Sequence, residues 1–360
     1  MFRKILFWSH LSLGVACSLI ILLMSLTGVL LTYERQIIAR AERGPWQVKP
    51  TAGRAPLLAL FPGNGLLASD TITVRSSPTE PIELNLGKKG VFFVDPYNAT
   101  LLGSPKKSTR EFFNQLRAWH RWLSLPAGNR PLGKAITGAS TLAFVILILS
   151  GLYLWLPRVF SLQHLRPILW FRSGLSGRAR DFNWHNTLGF WAALPLFFIA
   201  LSALPISYAW ANGLIYTVTR SEEPKPDSTP PPQGPASLYH LDRAFALAAS
   251  EPGWQAISFR FGGPTDNFVF NIDRGDGGQP QLKSTLTVDR ETLAILRHDR
   301  FSQLNTGRRV RLFSRFLHTG ESLGLAGQTL AGVASAAAVL LAITGLTLSW
   351  RRFTAWRRRG

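Results

Sequence analysis

Four long stretches of the chain contain no Asp, Glu, Lys or Arg. They lie between Lys4 and Glu34, Lys134 and Arg158, Asp181 and Arg220, and Glu321 and Arg351. Each stretch is at least as long as the ~20 apolar residues that cross a hydrocarbon core of ~30 Å. The pattern therefore predicts a membrane α-helical fold, in which four transmembrane helices form a bundle.

The basic residues follow this predicted topology. Lys and Arg number 40 against 20 Asp and Glu, and many of them gather before the first span, between the second and third, and after the fourth. In an alternating topology these three segments share one side of the membrane. The positive-inside rule places that side, with both termini, in the cytoplasm. The formal charge of +20 is thereby explained without nucleic acid, and we expect a multi-pass inner-membrane protein whose two long segments are periplasmic.

The sequence also contains an internal repeat. A shift of 175 residues brings four residues of the first span onto similar residues of the third, namely His10, Gly14, Thr27 and Tyr33 onto His185, Gly189, Ser202 and Tyr208. The second and fourth spans correspond through Arg117-x-x-His120 with Arg315-x-x-His318, and through Ser150-Gly151 with Thr344-Gly345. A two-fold repeat is therefore predicted. Pairs such as Thr27-Gly28 and Thr344-Gly345 are interpreted as close contacts between helices.

The two long segments between spans repeat more faintly, and each predicts a small α+β domain. Strand and turn patterns occur at Asp70–Val74, Val94-Asp95, Thr285–Val288 and Val288-Asp289. Helical periodicity favours a helix over Leu238–Ala249. The proline-rich stretch Pro224–Pro235 cannot form a regular helix, so we expect an extended linker there.

Four histidines occupy corresponding places near the ends of the spans. His10 and His185 lie near the cytoplasmic ends of spans one and three, whereas His120 and His318 lie just before spans two and four, at the outer face. A charged group at membrane depth costs on the order of 2 to 4 kcal/mol, so an ionisable residue there needs a reason. Neutral imidazole is a good iron ligand, and two helices can each supply one axial ligand to a haem. We predict two haem sites, with one histidine pair ligating each iron.

The histidine pairs also allow two simpler interpretations. Each pair could be a structural hydrogen-bonded pair or a plain metal site. Zinc usually takes more protein ligands than two. Cys17 is the only cysteine of the chain, which excludes an intramolecular disulfide and a cysteine zinc site. Haem ligation is therefore the favoured interpretation.

Two further pairs of residues accompany the histidines. Gly14 and Gly189 lie one helical turn beyond the histidines of spans one and three, where the lack of a side chain leaves space for a flat macrocycle. Arg117 and Arg315 each lie three residues before an outer histidine, and a guanidinium matches the geometry of a haem propionate. We predict that all four residues contribute to cofactor binding. No catalytic residue separate from the haem is predicted.

These motifs resemble those of a known family. The segments His10–Gly14, Leu26–Gly28 and Phe182–Gly189, with His120 and His318 before their helices, are similar to the PepSY-associated transmembrane family of iron-regulated inner-membrane proteins, particularly its FoxB-like ferrisiderophore reductases. The resemblance covers nearly the whole chain. It implies periplasmic PepSY-like domains, haem b in the membrane, and electron transfer to a periplasmic ferric siderophore, with release of Fe(II) for iron uptake.

The cytoplasmic side of the predicted protein has no nucleotide-binding motif of its own. No Gly-x-Gly-x-x-Gly fingerprint follows a predicted strand there, so electrons are expected from quinol or from a cytoplasmic reductase. The alternative function is that of a non-enzymatic PepSY membrane protein that binds a partner or regulates a protease. A siderophore transporter is less favoured, because the spans lack the acidic residues and broken helices of proton-coupled carriers.

The predicted organisation divides the chain into eight segments. They are span one (1–34), the first PepSY-like domain (35–118), an outer-face segment with span two (119–158), a cytoplasmic basic loop (159–181), span three (182–214), the proline-rich linker with the second PepSY-like domain (215–316), an outer-face segment with span four (317–351), and a cytoplasmic basic tail (352–360). Spans one and three are expected to run outward, and spans two and four to return.

Overall fold

The computed structural model describes residues 1–51, 53–60, 70–157, 161–224, 239–260 and 267–358. Within these ranges, four helical segments are long and apolar enough to cross a membrane, which confirms the four predicted spans. The helices are α1 (Phe2–Leu31), α2 (Glu34–Arg43), α3 (Ser108–Trp122), α4 (Arg130–Trp155), α5 (Leu162–Leu169), α6 (Gly177–Ser207), α7 (Ala209–Val218), α8 (Leu241–Ala249), α9 (Thr306–His318) and α10 (Gly324–Arg357). The strands are β1 (Thr71–Arg75), β2 (Ile82–Asn85), β3 (Val91–Val94), β4 (Leu101–Gly103), β5 (Ala256–Arg260), β6 (Phe268–Asp273), β7 (Lys283–Val288) and β8 (Ile295–Arg300).

The long helices α1, α4, α6 and α10 form a bundle. It belongs to a compact unit made of Met1–Glu34, Phe112–Thr217 and Ser314–Gly360. Helix α1 packs against α4 and α10, and α6 packs against the same two helices. Helices α1 and α6 therefore occupy opposite corners of the bundle. Small side chains let the helix backbones approach one another; those buried here include Ala192, Ala193, Ala334, Ala337 and Ala338.

Separate helices precede the second and fourth spans. Helix α3 ends at Trp122 and α9 ends at His318, and a sharp turn follows each of them. The first turn places Leu123 and Ser124 in the left-handed region, with φ of 56° and 54°, and the second does the same with Gly320 at φ 75°. The two histidines predicted before spans two and four therefore lie on α3 and α9, not on the spanning helices.

The third span is shorter at its far end than the predicted 182–214. Helix α6 ends at Ser207, because Tyr208 adopts an extended conformation with φ −124° and ψ 129°. Pro205, just before this point, lacks the backbone N–H that would continue the helix ladder. Residues from Ala209 onward form the separate helix α7.

The strands of the two long segments between spans form a single sheet. Its order is β4-β3-β2-β1-β5-β6-β7-β8. Strand β1 of the first segment pairs antiparallel with β5 of the second, with Ile72 opposite Phe259. Without this pairing, both strands would present a row of unpaired backbone groups at an open edge. The expectation of two separate domains is therefore corrected, since Arg35–Glu111 and Val218–Phe313 form one compact unit.

This sheet unit has one hydrophobic core. Helix α8 contributes Leu241, which is fully buried in the same cluster as Phe259 and Phe270 of the sheet. The strands predicted at Asp70–Val74 and Thr285–Val288 correspond to β1 and β7. The predicted helix over Leu238–Ala249 begins at Leu241 among the described residues. Leu238 and the proline-rich stretch beyond Pro224 lie outside them.

Candidate functional site

The helical bundle has two ends that differ in charge. At the basic end, α1 begins and α10 ends, and Arg3, Lys4, Arg351 and Arg352 lie there. At the opposite end, α1 finishes and α10 begins. The four histidines predicted to bind haem lie in two pairs, one near each end. Each of the four histidines is partly buried.

The basic-end pair consists of His10 on α1 and His185 on α6, at opposite corners of the bundle. The Nδ1 atom of His10 lies 2.8 Å from the Ser150 hydroxyl of α4. The Nδ1 atom of His185 lies 3.0 Å from the Thr344 hydroxyl of α10. Each ring is thus fixed by the adjacent helix through the same nitrogen. Within the described ranges, no ring contact joins these two histidines directly.

The opposite-end pair consists of His120 on α3 and His318 on α9. Their ring centroids lie 6.0 Å apart, and the ring planes are inclined at 55°. His120 Nδ1 lies 3.0 Å from the Thr27 hydroxyl of α1, and His318 Nδ1 lies 2.9 Å from the backbone carbonyl of Ile199 in α6. Two metal–imidazole bonds of about 2 Å each, together with the ring radii, span a similar distance. The distance between the two rings is therefore compatible with one shared metal ion.

Gly14 and Gly189 occupy equivalent positions in the basic half of the bundle. A Cβ atom on Gly14 would lie 3.8 Å from Leu147, and one on Gly189 would lie 3.7 Å from Leu341. Both distances are ordinary van der Waals contacts, so close helix packing does not require glycine here. The room beside each residue is bounded by a leucine of the adjacent span. Their predicted role beside a macrocycle stays a prediction.

The two arginines predicted near haem propionates differ in their contacts. Arg117 forms an ion pair with Glu34 and also donates a hydrogen bond to the Asn114 side chain. Arg315 lies over the ring of Phe316, with its guanidinium carbon 5.6 Å from the ring centroid. No carboxylate of the described residues pairs with Arg315. Propionate binding by either residue stays a prediction.

Three hydroxyl side chains at the site were not identified from sequence. Thr27, Ser150 and Thr344 hold histidines, although pairs of this kind were interpreted as contacts between helices. The glycine that follows each hydroxyl faces the same imidazole. A Cβ would lie 3.2 Å from the ring at Gly151 and 3.4 Å at Gly345. The signal available in the sequence was the recurrence of a hydroxyl-glycine pair, Ser150-Gly151 and Thr344-Gly345, at corresponding places in the second and fourth spans.

The donor set fits some metal centres better than others. Within the described parts of the chain, no group of three or more His, Cys, Asp or Glu side chains could hold a metal ion. A bare ion needs more protein ligands than the two imidazoles of each pair. Haem brings four equatorial nitrogens of its own and takes one or two axial ligands from the protein. The two imidazoles at each end therefore fit haem better than a free ion.

Comparison with known proteins agrees with the membrane architecture. No curated protein sequence matches the chain. A family model described as the PepSY-associated TM region matches residues 7–352, which is nearly the whole chain. The matched range includes most of α1 and α10, all of α4 and α6, both histidine pairs and the sheet unit. The chain therefore belongs to the PepSY-associated transmembrane family.

Proposed function

We propose that this protein is a di-haem inner-membrane reductase, which passes electrons across the membrane to a ferric siderophore in the periplasm and releases Fe(II). The observation that carries the proposal is the arrangement of its four repeated histidines. They form two pairs at the two ends of one bundle, and each ring is anchored through Nδ1. Hydrogen bonds to neighbouring helices thus leave the Nε2 atoms for another partner.

Each end of the bundle would hold one haem b. His10 and His185 would hold the haem at the basic end, and His120 and His318 would hold the haem at the opposite end. Bound haem supplies a one-electron carrier, with a potential that the axial ligands and their hydrogen bonds tune. The chain itself orients the imidazoles through the hydrogen bonds to their Nδ1 atoms.

The two ends are far enough apart to require more than one carrier. His10 and Thr27, which mark the two sites on α1, are separated by 17 residues. A helix of this length rises ~25 Å. With one haem at each end, an electron crosses the membrane in shorter steps. With a single haem, it would have to cover most of the distance in one step. The predicted haem content of two per chain follows from this spacing.

The direction of transfer follows from the distribution of charge. Basic residues near membrane spans favour the cytoplasmic side, so the basic end faces the cytoplasm in this proposal. The two segments that build the sheet unit leave α1 and α6 at their other ends and would be periplasmic. Quinol or a cytoplasmic reductase would supply the electrons.

The substrate class rests on the family resemblance and on coordination chemistry. Siderophore oxygens are hard donors, and such donors bind Fe(III) more tightly than Fe(II). Each ferric ion takes up one electron and becomes ferrous. The iron is then held weakly by its former carrier and is released. A competing function, binding a partner or regulating a protease without redox chemistry, would need no haem.

Haem content is the first test. In the full-length protein purified in detergent, we expect two haems per chain by the pyridine haemochrome assay. His185→Ala and His318→Ala should each reduce the ratio to one. His298→Ala is the matched control, because His298 lies on β8 of the sheet unit. This variant should keep two haems per chain. A colourless wild-type protein would contradict the proposal and favour the non-enzymatic function.

Electron transfer is the second part of the same test. The dithionite-reduced protein should lose its reduced α band when a ferric siderophore is added without oxygen. The Fe(II) formed should be trapped by ferrozine. The gallium(III) complex of the same siderophore cannot be reduced and should leave the spectrum unchanged. If the ferric complex also leaves it unchanged, the protein carries electrons to a different acceptor.

A further inference from the structure

The three hydroxyl groups that touch histidines each have a second partner. Thr27, Ser150 and Thr344 all lie 2.7 Å from the backbone carbonyl four residues earlier in their own helix. A hydroxyl has one hydrogen to donate and two lone pairs that accept. A carbonyl can only accept, so the single hydroxyl hydrogen goes to it. The contact with the histidine is then a hydrogen bond only if Nδ1 carries a hydrogen and donates it.

The fourth histidine also carries its hydrogen on Nδ1, but its hydrogen-bond partner is different. His318 Nδ1 lies 2.9 Å from the carbonyl of Ile199, and this oxygen cannot donate. Nδ1 must therefore carry the hydrogen. Ser202, which corresponds to Thr27 in the repeat, donates its own hydroxyl to that same carbonyl at 2.9 Å. All four hydrogen bonds thus select one tautomer, although one uses a backbone oxygen and three use a side chain.

We propose that Thr27, Ser150 and Thr344 are positioning residues that fix their histidines as the Nδ1–H tautomer and thereby direct the Nε2 lone pair to the haem iron. The inference rests on the proposed function. A neutral imidazole has one N–H, so protonation at Nδ1 leaves Nε2 as the only nitrogen able to bind a metal. An acceptor on the N–H also fixes the ring orientation and makes the ligand more basic.

A hydroxyl bonded to its own helix is common in this bundle, and only some of these groups meet a histidine. Thr141 in α4 lies 2.9 Å from the carbonyl of Thr137, and Thr347 in α10 lies 2.8 Å from that of Ile343. Neither contacts a histidine. They are therefore matched controls, with the same helix and the same local bond but no imidazole partner.

The experiment compares Thr344→Val with Thr347→Val in the full-length protein in detergent. Loss of the residue that hydrogen-bonds to a metal ligand typically weakens metal binding by about 10- to 100-fold. We therefore expect Thr344→Val to bind the basic-end haem at least about tenfold more weakly. The midpoint potential of that haem should rise, because a less basic ligand stabilises Fe(III) less. Thr347→Val should keep both properties, and Thr344→Ser should restore them because it retains the hydroxyl.

The outcomes separate this inference from the function on which it rests. If wild-type protein binds no haem, the proposed function is wrong. If wild-type binds two haems and Thr344→Val keeps their affinity, potentials and low-spin EPR signals, the positioning role is wrong and the di-haem proposal stands. If Thr344→Val does not fold, Ser150→Ala provides the same measurements at His10, with Ser150→Thr as the variant that keeps the hydroxyl. Unchanged affinity and potential in Ser150→Ala would then contradict the inference.

Discussion

At the basic end of the bundle, His10 and His185 belong to the spanning helices themselves, whereas at the opposite end His120 and His318 belong to short helices that precede their spans. The first pair is placed by the packing of α1 and α6 against α4 and α10. The second pair depends in addition on two turns that fold α3 and α9 back onto the bundle. One site is thus built from continuous helices and the other from helix–turn–helix elements.

The difference predicts which changes each site tolerates. A site on packed helices responds to side chains at the helix contacts, because those contacts set the position of the imidazoles. A site behind a turn also responds to the backbone conformation of that turn. The turns after α3 and α9 contain residues with positive φ, which few side chains adopt without strain. Mutations in these turns should therefore separate the two sites most clearly.

The largest effect is expected at Gly327, in the first turn of α10. A Cβ atom there would collide with the Gly320 carbonyl and with the Leu323 side chain. Gly327→Ala should displace the turn that positions His318, so the haem ratio should fall from about two to about one. Gly213→Ala is the control, because a Cβ at Gly213 meets no atom within 4 Å.

The identity of the lost haem decides this prediction. The remaining haem in Gly327→Ala should be the one that His185→Ala removes, so the double variant should contain none. Loss of both haems in Gly327→Ala alone would mean that the two ends are not independent. Retention of both would mean that the turn does not hold His318.

The features that the sequence predicted well are local ones. A run without charged residues identifies a membrane span even when the helices that it contacts are unknown. Histidines near the ends of such runs can be identified from the sequence for the same reason. The spacing of similar residues along the chain also contained information about the turns. Ser150 and Thr344 are offset by 194 residues but His120 and His318 by 198. The structure accounts for the difference, because α4 begins ten residues after its histidine and α10 only six after its own.

The features that the sequence did not predict depend on contacts between distant segments. The pairing of β1 with β5 joins Ile72 to Phe259, and no local pattern indicates which edges meet. The role of Thr344 was missed for a related reason. A threonine beside a glycine in a membrane helix is already accounted for by helix packing, and its partner His185 lies on another helix. Strand pairing and hydrogen-bond partners of this kind are properties of the three-dimensional fold and not of any local sequence pattern.

A smaller effect is expected from the glycines that face the imidazoles. A Cβ would lie 3.2 Å from the ring at Gly151, 3.4 Å at Gly345 and 3.7 Å at Gly28. Only the first two distances are tight enough to push the ring, and Gly151 is the tighter. Gly151→Ala should weaken haem binding at the basic end by about tenfold, as is typical of changes in residues that position a metal ligand. Gly345→Ala should weaken it less, and Gly28→Ala should have no effect.

The graded series is measured by haem titration of the apoprotein and by the low-spin EPR signals of each site. The order of the three variants is the informative result. If Gly28→Ala has as large an effect as Gly151→Ala, proximity of the glycine to the ring does not control ligand position. The distance between the glycine and the imidazole ring would then not explain how the two ends differ.

The smallest effect is expected within the opposite end, between its two arginines. Arg117 already pairs with Glu34, whereas Arg315 is exposed and meets no carboxylate of the described residues. Arg315 is therefore the guanidinium available to a propionate. An exposed ion pair contributes about 0.2 to 1 kcal/mol. Arg315→Gln should speed the transfer of the opposite-end haem to apomyoglobin by no more than about fivefold.

Two control variants show whether this small effect is specific to Arg315. Arg309→Gln removes the same charge from the same helix α9 and should leave the transfer rate unchanged. Arg117→Gln should mainly destabilise the fold locally, because it removes the ion pair with Glu34. Faster haem loss from Arg117→Gln than from Arg315→Gln would reverse the assignment. The propionate would then compete with Glu34 for Arg117, and the ion pair between α2 and α3 would be part of the haem site.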